Sequence, residues 1–300
     1  MPIELTRLPV LDYSASNVVK YLRDDTDKVP LVKATRTART PRFYHDGAIE
    51  AATELELSKK ASHHLITVVR TKKDERIELF NGDGNNYTAI VTDTGQRSPG
   101  KRARLQIIDC KDASTESPIA TTLVQAVSRG DRMDITIRQA VELGVNRIQP
   151  IYSRQSVKAL DEKRTAKKME HWQNIIISAC EQSGRARIPI LEQPQSLATL
   201  LEQKNHSPAA EAVTSPESFI SLILAPNAQS SFSELFSDRS ATIQHCAVII
   251  GPESGFDEDE IQMAMRTGVL AVNFGRRILR TETAGPATIA VVQSLLGDLG

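Results

Sequence analysis

Residues 247–255 read AVIIGPESG, and residues 269–284 read VLAVNFGRRILRTETA. Each string begins with four consecutive apolar residues and continues into a loop that contains glycine. A short, uninterrupted apolar run that stops at a glycine loop is typical of a strand buried on both faces, as in a parallel sheet. The two strings therefore predict two parallel strands, each followed by a glycine-containing loop.

A third string of similar character, residues 220–226, reads ISLILAP and stops at proline. Ligands of parallel sheets bind beyond the carboxyl ends of the strands. Because all three loops follow strand ends, we expect them to lie at one edge of the sheet and to form one pocket.

The rest of the chain changes its periodicity at about residue 118. Alternating apolar residues in the front part predict several short strands, which suggest a small barrel. In the rear part, strand and helix patterns alternate, which is typical of a parallel sheet flanked by helices. We predict a helix capped by Asp257 and Glu260, and a last helix that begins near Pro286. Strands are predicted at 55–57, 77–80, 88–91 and 103–107.

Composition excludes several classes of protein. The three cysteines, Cys110, Cys180 and Cys246, are scattered and form neither a disulfide framework nor a zinc pattern. No stretch approaches the roughly 20 apolar residues that span a membrane. We therefore expect a cytoplasmic protein with no bound metal and no membrane partner.

The net charge is zero, but the charges are unevenly placed. Between residues 33 and 73 there are nine basic residues against four acidic ones, whereas residues 219–300 contain five basic and nine acidic. A basic front part beside a less basic rear part suits an enzyme that docks RNA with one domain and performs its chemistry with the other. A solvated basic face without a partner is the alternative.

The strings IGPESGF at 250–256 and GRRILRTETA at 275–284 resemble the C-terminal signature of the RsmE family of 16S ribosomal RNA (uridine-N3) methyltransferases, which belongs to the SPOUT (α/β-knot) class. The resemblance covers residues 40–300, with shorter matching strings at 42–44, 130–134, 142–145 and 182–185.

The resemblance implies an α/β protein in which a small N-terminal PUA-like β-barrel precedes a SPOUT domain with a C-terminal trefoil knot. We expect an N-terminal extension of unknown role over residues 1–39, the barrel over 40–112 and the methyltransferase domain over 118–300. The resemblance also implies S-adenosyl-L-methionine as cofactor, small-subunit ribosomal RNA as substrate and a homodimer.

The loops are expected to hold this cofactor mainly with backbone groups, which glycine allows to approach closely. An ordinary tight turn is the alternative for each glycine taken singly. The residues assigned to the cofactor are Leu224, Gly251, Pro252, Glu253, Gly255, Gly275, Ile278, Leu279 and Thr283.

Arg280 and Glu282 are the candidate catalytic residues. N3 of uridine is protonated at neutral pH, so methylation requires a base, or a cation that stabilises the uridine anion. Arg280 could be that cation or could bind the target phosphate, and Glu282 could be the base or an anchor for Arg280. A structural ion pair between the two is the alternative. Thr281 could contact uracil oxygens or cap the last helix.

Basic residues of the front part are the candidates for RNA binding through phosphates. Arg185 is a further candidate, and a dimer contact is the alternative for it. The front-part candidates are Arg42, His63, His64, Arg70, Lys72 and Lys73.

Two positions depart from the family pattern, and two other functions stay open. Ser254 replaces a glycine, which is tolerable only if its φ is negative or mildly strained. Gln139 stands where relatives usually have lysine, so RNA binding could be weaker here or supplied elsewhere. These departures would suit an RNA-binding assembly factor without turnover. A ribose 2′-O-methyltransferase of the same class is the other alternative.

Overall fold

The computed structural model describes residues 40–95, 102–157, 159–203, 218–236 and 243–300, which contain two sheets. The expected extension over residues 1–39 lies outside these ranges. No helix within them is both long and apolar enough to cross a membrane.

The first sheet consists of strands in which apolar and polar residues alternate. Its order is β1-β3-β4-β5-β2; β1 is parallel to β3, and the other pairs are antiparallel. Ile77, Leu79, Ala89, Val91 and Leu105 point into a common core. Each strand predicted in the front part overlaps an observed one, so these predictions are confirmed. The strands are β1 Arg42–Tyr44, β2 Glu54–Glu56, β3 Arg76–Phe80, β4 Asn85–Asp93 and β5 Arg104–Asp112.

A helical segment connects β2 to β3. Helix α1, Lys59–His63, begins where the Ser58 hydroxyl accepts a hydrogen bond from the N–H of Ala61. It continues as a π-helix, His64–Val69, that ends at Arg70 in the left-handed conformation.

The second sheet is parallel, as the three apolar strings predict. Its order is β12-β10-β11-β6-β7-β8, and β9 also pairs with β7. The central strands are buried on both faces. The strands are β6 Ala120–Ala126, β7 Arg147–Tyr152, β8 Ile190–Leu191, β9 Gln195–Ser196, β10 Phe219–Leu224, β11 His245–Ile250 and β12 Leu270–Val272.

Helices cover both faces of this sheet. One face, with Leu123 and Val248, packs in a core with α2, α3 and α7, and the other, with Val124 and Ile249, packs with α4 and α6. Side chains alternate between the two cores because successive strand residues point to opposite faces. The helices are α2 Arg132–Glu142, α3 Glu162–Ser183, α4 Leu197–Gln203, α5 Phe232–Phe236, α6 Glu258–Arg266 and α7 Thr281–Leu296.

Two predictions concern the first residues of α6 and α7. Asp257 and Glu260 form the predicted capping box at the start of α6. The predicted start of the last helix near Pro286 is wrong, because α7 begins at Thr281 and Pro286 lies inside it. Proline is favoured at the first helical position, but a tertiary hydrogen bond of Thr281 described below anchors the helix earlier.

Arg42 lies buried where β1 of the first sheet meets the end of α3, and not on the exposed surface. Its guanidinium is almost fully buried, with Nε 2.7 Å from Glu78 Oε1 and Nη1 2.6 Å from the carbonyl oxygen of Cys180. It also donates to the carbonyl of Arg185. The structure therefore contradicts the prediction that Arg42 contacts phosphate, because its donors are used by acceptors of the protein.

Arg185 is a second buried arginine at this contact. Its Nε and Nη2 lie 3.1 and 2.5 Å from the carboxylate oxygens of Glu116, and its Nη1 donates to the carbonyls of Val141 and Val145. The predicted RNA contact of Arg185 is therefore wrong. The side chain instead joins α3, α2 and the segment between the two sheets.

Replacing Arg185 by methionine tests this assignment. Arg185→Met removes the arginine donors to the Glu116 carboxylate and to the carbonyls of Val141 and Val145, so we expect the free energy of unfolding to fall by about 3 kcal/mol. Urea denaturation measures the change. The matched control is Arg138→Met, because Arg138 is exposed on α2. Equal midpoints for the two variants would contradict the structural role of Arg185.

Candidate functional site

Three loops meet around one cavity at the carboxyl edge of the second sheet. They follow β10, β11 and β12, which are neighbours, and with the start of α7 they enclose about 1010 Å³. The expectation of one pocket is therefore confirmed. Eight of the nine residues predicted to bind the cofactor line this cavity, namely Leu224, Gly251, Pro252, Glu253, Gly255, Gly275, Ile278 and Leu279.

Thr283 is the ninth, and the structure contradicts its predicted place in the pocket. Its side chain is exposed and lines a different cavity, of about 340 Å³, between α2 and α7. In a helix, residues two apart lie on nearly opposite faces. Because Thr281 faces the sheet, Thr283 faces away from it.

The loop after β11 turns through a glycine. Gly255 has a φ of +78°, which L side chains rarely adopt. A Cβ on Gly251 would lie 3.2 Å from the backbone nitrogen of Phe256, so the loop closes tightly there. Ser254 is not among the described residues with positive φ, and the condition for tolerating serine at this position is met.

Thr281 fixes the start of α7 to this loop. Its hydroxyl donates to the carbonyl oxygen of Gly251 at 2.7 Å and accepts from Nε2 of Gln125 at 2.9 Å. Gln125 is buried in β6, and Gly285 leaves room for its amide, since a Cβ there would lie 3.0 Å from Oε1. The hydroxyl of Thr281 is therefore committed to the protein and not to a uracil oxygen.

Glu253 is held as an anion at the cavity wall. Its Oε1 accepts from the backbone N–H of Arg129 at 3.0 Å and from Nη1 of Arg132 at 2.7 Å. Burial raises the pKa of the Glu253 carboxyl, but these donors outweigh it, so the pKa lies below its ordinary value of 4.5. Its contribution to stability is thus complete above pH 4.5 and is lost as the pH falls through the folded-state pKa.

The two candidate catalytic residues lie together at the start of α7. The Arg280 side chain is 84% exposed, and its Nη1 is 4.0 Å from Oε1 of Glu282, whose side chain is 16% exposed. Oε2 of Glu282 is buried without a hydrogen-bond partner among the described residues and lies 3.8 Å from Nε of Arg132. The ion pair between Arg280 and Glu282 is therefore loose, and Oε2 of Glu282 accepts no hydrogen bond from the described residues.

Sequence reasoning missed the roles of Gln125 and Arg132. A glutamine near the end of a largely apolar strand was a usable signal for Gln125, because a buried amide needs partners. Arg132 stands in the matching string at 130–134, but no pattern in the sequence shows that two carboxylates more than 100 residues away lie next to it.

The remaining candidates for RNA binding lie on the helical segment of the first sheet and just after it. These five side chains are exposed, and the His64 ring packs edge-on against Phe43. They are His63, His64, Arg70, Lys72 and Lys73. Within the described ranges, no group of three or more His, Cys, Asp or Glu residues could hold a metal ion.

Comparison with known proteins identifies the family. The family model for an RNA methyltransferase domain matches residues 115–293, and the model for an RNA methyltransferase PUA domain matches residues 57–98. The Ribosomal RNA small subunit methyltransferase E of Buchnera aphidicola subsp. Schizaphis graminum is 30% identical over 261 residues, which cover 87% of this chain and 98% of that protein. The chain belongs to the ribosomal RNA small subunit methyltransferase E (RsmE) family.

Solved structures agree with membership in the RsmE family. The RsmE protein of Neisseria gonorrhoeae bound to S-adenosyl methionine is 35% identical with a TM-score of 0.74, and the match covers 87% of this chain and 100% of that one. A Legionella pneumophila protein in complex with SAM matches with the same identity and coverage and a TM-score of 0.75. The mixed α/β class with a PUA domain is thereby confirmed.

Replacing Thr281 tests its role at this site. Thr281→Val keeps the shape of the side chain but removes the donor to the Gly251 carbonyl and one of the two acceptors of the Gln125 amide, so we expect a loss of about 2 kcal/mol in the free energy of unfolding. The same change at the exposed Thr283 should alter it by less than about 0.5 kcal/mol. Urea denaturation compares the two variants. Equal losses would show that the Thr281 hydroxyl does not join α7 to the loop.

Proposed function

We propose that this RsmE-family chain is an S-adenosyl-L-methionine-dependent methyltransferase that modifies N3 of a uridine in small-subunit (16S) ribosomal RNA. The observation that carries the proposal is the cavity formed by the three strand-end loops, in a chain whose relatives bear the name of this enzyme. Structures similar to it over 87% of its length contain the cofactor.

The cavity wall suits this cofactor. Gly255 and Gly275 have open space where a Cβ would stand, so backbone and ligand can approach closely there. Leu224, Phe256 and Leu279 offer apolar contacts to an adenine ring, and loop backbone groups offer hydrogen bonds to its polar edges. In our proposal the lining residues predicted from sequence hold the cofactor, which supplies an electrophilic methyl group on a sulfonium.

Glu282 and Arg280 prepare the acceptor in this proposal. The carboxylate of Glu282, whose side chain is 16% exposed, accepts the proton from N3 of uridine. The exposed guanidinium of Arg280 stabilises the uridine anion or binds its phosphate. The loops contribute alignment, which is the largest need of a methyl transfer between two positioned atoms.

The exposed segment over residues 63–73 docks the RNA in this proposal. Its cations face solvent, and it lies entirely inside the match to the PUA model, residues 57–98. Contacts to phosphate orient RNA without reading its sequence. N3 lies on the Watson–Crick edge, so the target uridine must be unpaired or drawn out of its stack.

We further propose the domain limits 40–112 and 118–300, a barrel closed around the first sheet, and a trefoil knot in the second domain. Support for the knot comes from the strand order. β12 lies at the sheet edge beside β10, yet α7 packs on β11 and β6, so the chain after β12 returns across the sheet. The absence of membrane and metal partners and a cytoplasmic location also remain proposals.

A homodimer is part of the proposed functional form. Ile278 in the cavity loop is 86% exposed, and Leu143, Pro286, Ala287 and Ala290 form an open apolar groove between α2 and α7. These apolar residues are the features of the described surface that support the proposed interface.

Sedimentation velocity tests the dimer. We expect the wild type to sediment as a dimer at micromolar concentration and Ala287→Arg, in the groove, to sediment as a monomer, because an interface core excludes unpaired charge. Ile108→Arg, on the exposed part of β5, is the control and should remain dimeric. A monomeric wild type would contradict the proposal.

Reverse transcription of 16S ribosomal RNA tests the reaction. N3 methylation blocks pairing, so RNA from wild-type cells should stop the polymerase at one uridine, and deletion of the gene should remove the stop. Expression of the wild-type chain should restore the stop, and Glu282→Gln should restore it weakly or not at all. A reverse-transcription stop that persists unchanged after deletion of the gene would contradict the proposal. A bond at the site that resists alkaline hydrolysis would favour ribose 2′-O-methylation instead.

A further inference from the structure

Arg132 lies between two carboxylates that belong to different parts of the site. It is the first residue of α2, and its side chain is 40% exposed. Glu253 on one side belongs to the loop after β11 and lines the cavity. Glu282 on the other side belongs to the first turn of α7. The guanidinium therefore connects the loop of the proposed cofactor pocket with the residue proposed to act on the acceptor.

The two contacts of Arg132 differ in kind. Nη1 is 2.7 Å from Oε1 of Glu253, a charge-assisted hydrogen bond to an oxygen that also accepts from the Arg129 backbone. Nε is 3.8 Å from Oε2 of Glu282, which is too far for a hydrogen bond but close enough for electrostatic attraction. The attraction places the Glu282 carboxylate without forming a hydrogen bond to Oε2.

The backbone and the side chains of this region are held by separate interactions. The hydroxyl of Thr281 joins the backbone of the Gly251 loop to the start of α7. Nothing in that bond orients the carboxylate of Glu282, which is the next residue. Among the described contacts of this carboxylate, the ion pairs with Arg132 and with the exposed Arg280 are the ones available to orient it.

We propose that Arg132 is a positioning residue for methyl transfer: it holds Glu253 of the cofactor loop and fixes the carboxylate of Glu282, the proposed base for the acceptor nitrogen. This inference rests on the proposed function. An arginine suits the role because its planar fork presents several donors in fixed directions, whereas lysine offers one compact charge on a flexible stem.

The test separates cofactor binding from transfer. Calorimetry measures the affinity of the purified full chain for S-adenosylmethionine, and single-turnover assays measure methyl transfer to small ribosomal subunits from the deletion strain. Arg132→Gln should slow transfer by about 100-fold, as expected for a misplaced reacting group. Its affinity for the cofactor should stay within about three-fold of wild type, since Glu253 keeps its bond from the Arg129 backbone. Arg132→Lys keeps the charge and should recover part of the rate.

A double-mutant cycle shows whether Arg132 acts through Glu282. The variant with both Arg132→Gln and Glu282→Gln should be no slower than Glu282→Gln alone, because residues that act as a unit are not additive. Arg138→Gln, on the exposed side of α2, is the matched control and should transfer at the wild-type rate. Circular dichroism and thermal melting confirm that each variant is folded.

Two results would overturn the inference while leaving the proposed function intact. One is an active wild type in which Arg132→Gln transfers as fast as Arg138→Gln. The other is a double variant whose loss equals the product of the two single losses, as independent structural effects would give. A wild type that binds S-adenosylmethionine but transfers no methyl group to uridine overturns the proposed function, and this inference with it.

Discussion

The hydroxyl of Thr281 is the contact on which the geometry of the site depends. It lies between the buried amide of Gln125 and the carbonyl of Gly251, and so joins a central strand, a cavity loop and the last helix. A buried hydroxyl that both donates and accepts leaves little freedom to any of the three. The cavity wall and the first turn of α7 take their positions from this point, whereas the carboxylate of Glu282 is oriented by its ion pairs with Arg132 and Arg280.

The arginines of this RsmE-family chain are divided between structure and surface. Arg42 and Arg185 are buried and hydrogen-bonded to carbonyls and carboxylates: Arg42 joins β1 of the first sheet to the end of α3, and Arg185 joins the end of α3 to α2 and to Glu116. Arg70 and Arg280 keep their guanidiniums in solvent. Only exposed cations can exchange their water and counterions for phosphate. The capacity for binding RNA thus belongs to a smaller set of residues than the basic composition of the front part suggests.

Local patterns allowed much of the fold to be predicted. The apolar strings at 220–226, 247–250 and 269–272 became neighbouring parallel strands, and Asp257 with Glu260 became a capping box. Eight of the nine residues predicted to bind the cofactor line one cavity because loops that follow parallel strands meet at the same edge. The start of α7 was missed because the preference of proline for the first turn is weaker than the tertiary bond of Thr281.

Local sequence patterns were enough to predict most strands, the capping box of α6, the meeting of the three loops and the family that the signature strings resemble. These properties depend on neighbours within a few residues, where periodicity and capping act. Which polar side chains are free depends on contacts between distant parts of the chain. Arg185 finds its acceptors about 40 to 70 residues away, and Arg132 finds Glu253 and Glu282 more than 100 residues away. Partners at such separations are set by packing of the whole sheet, and no local pattern records them.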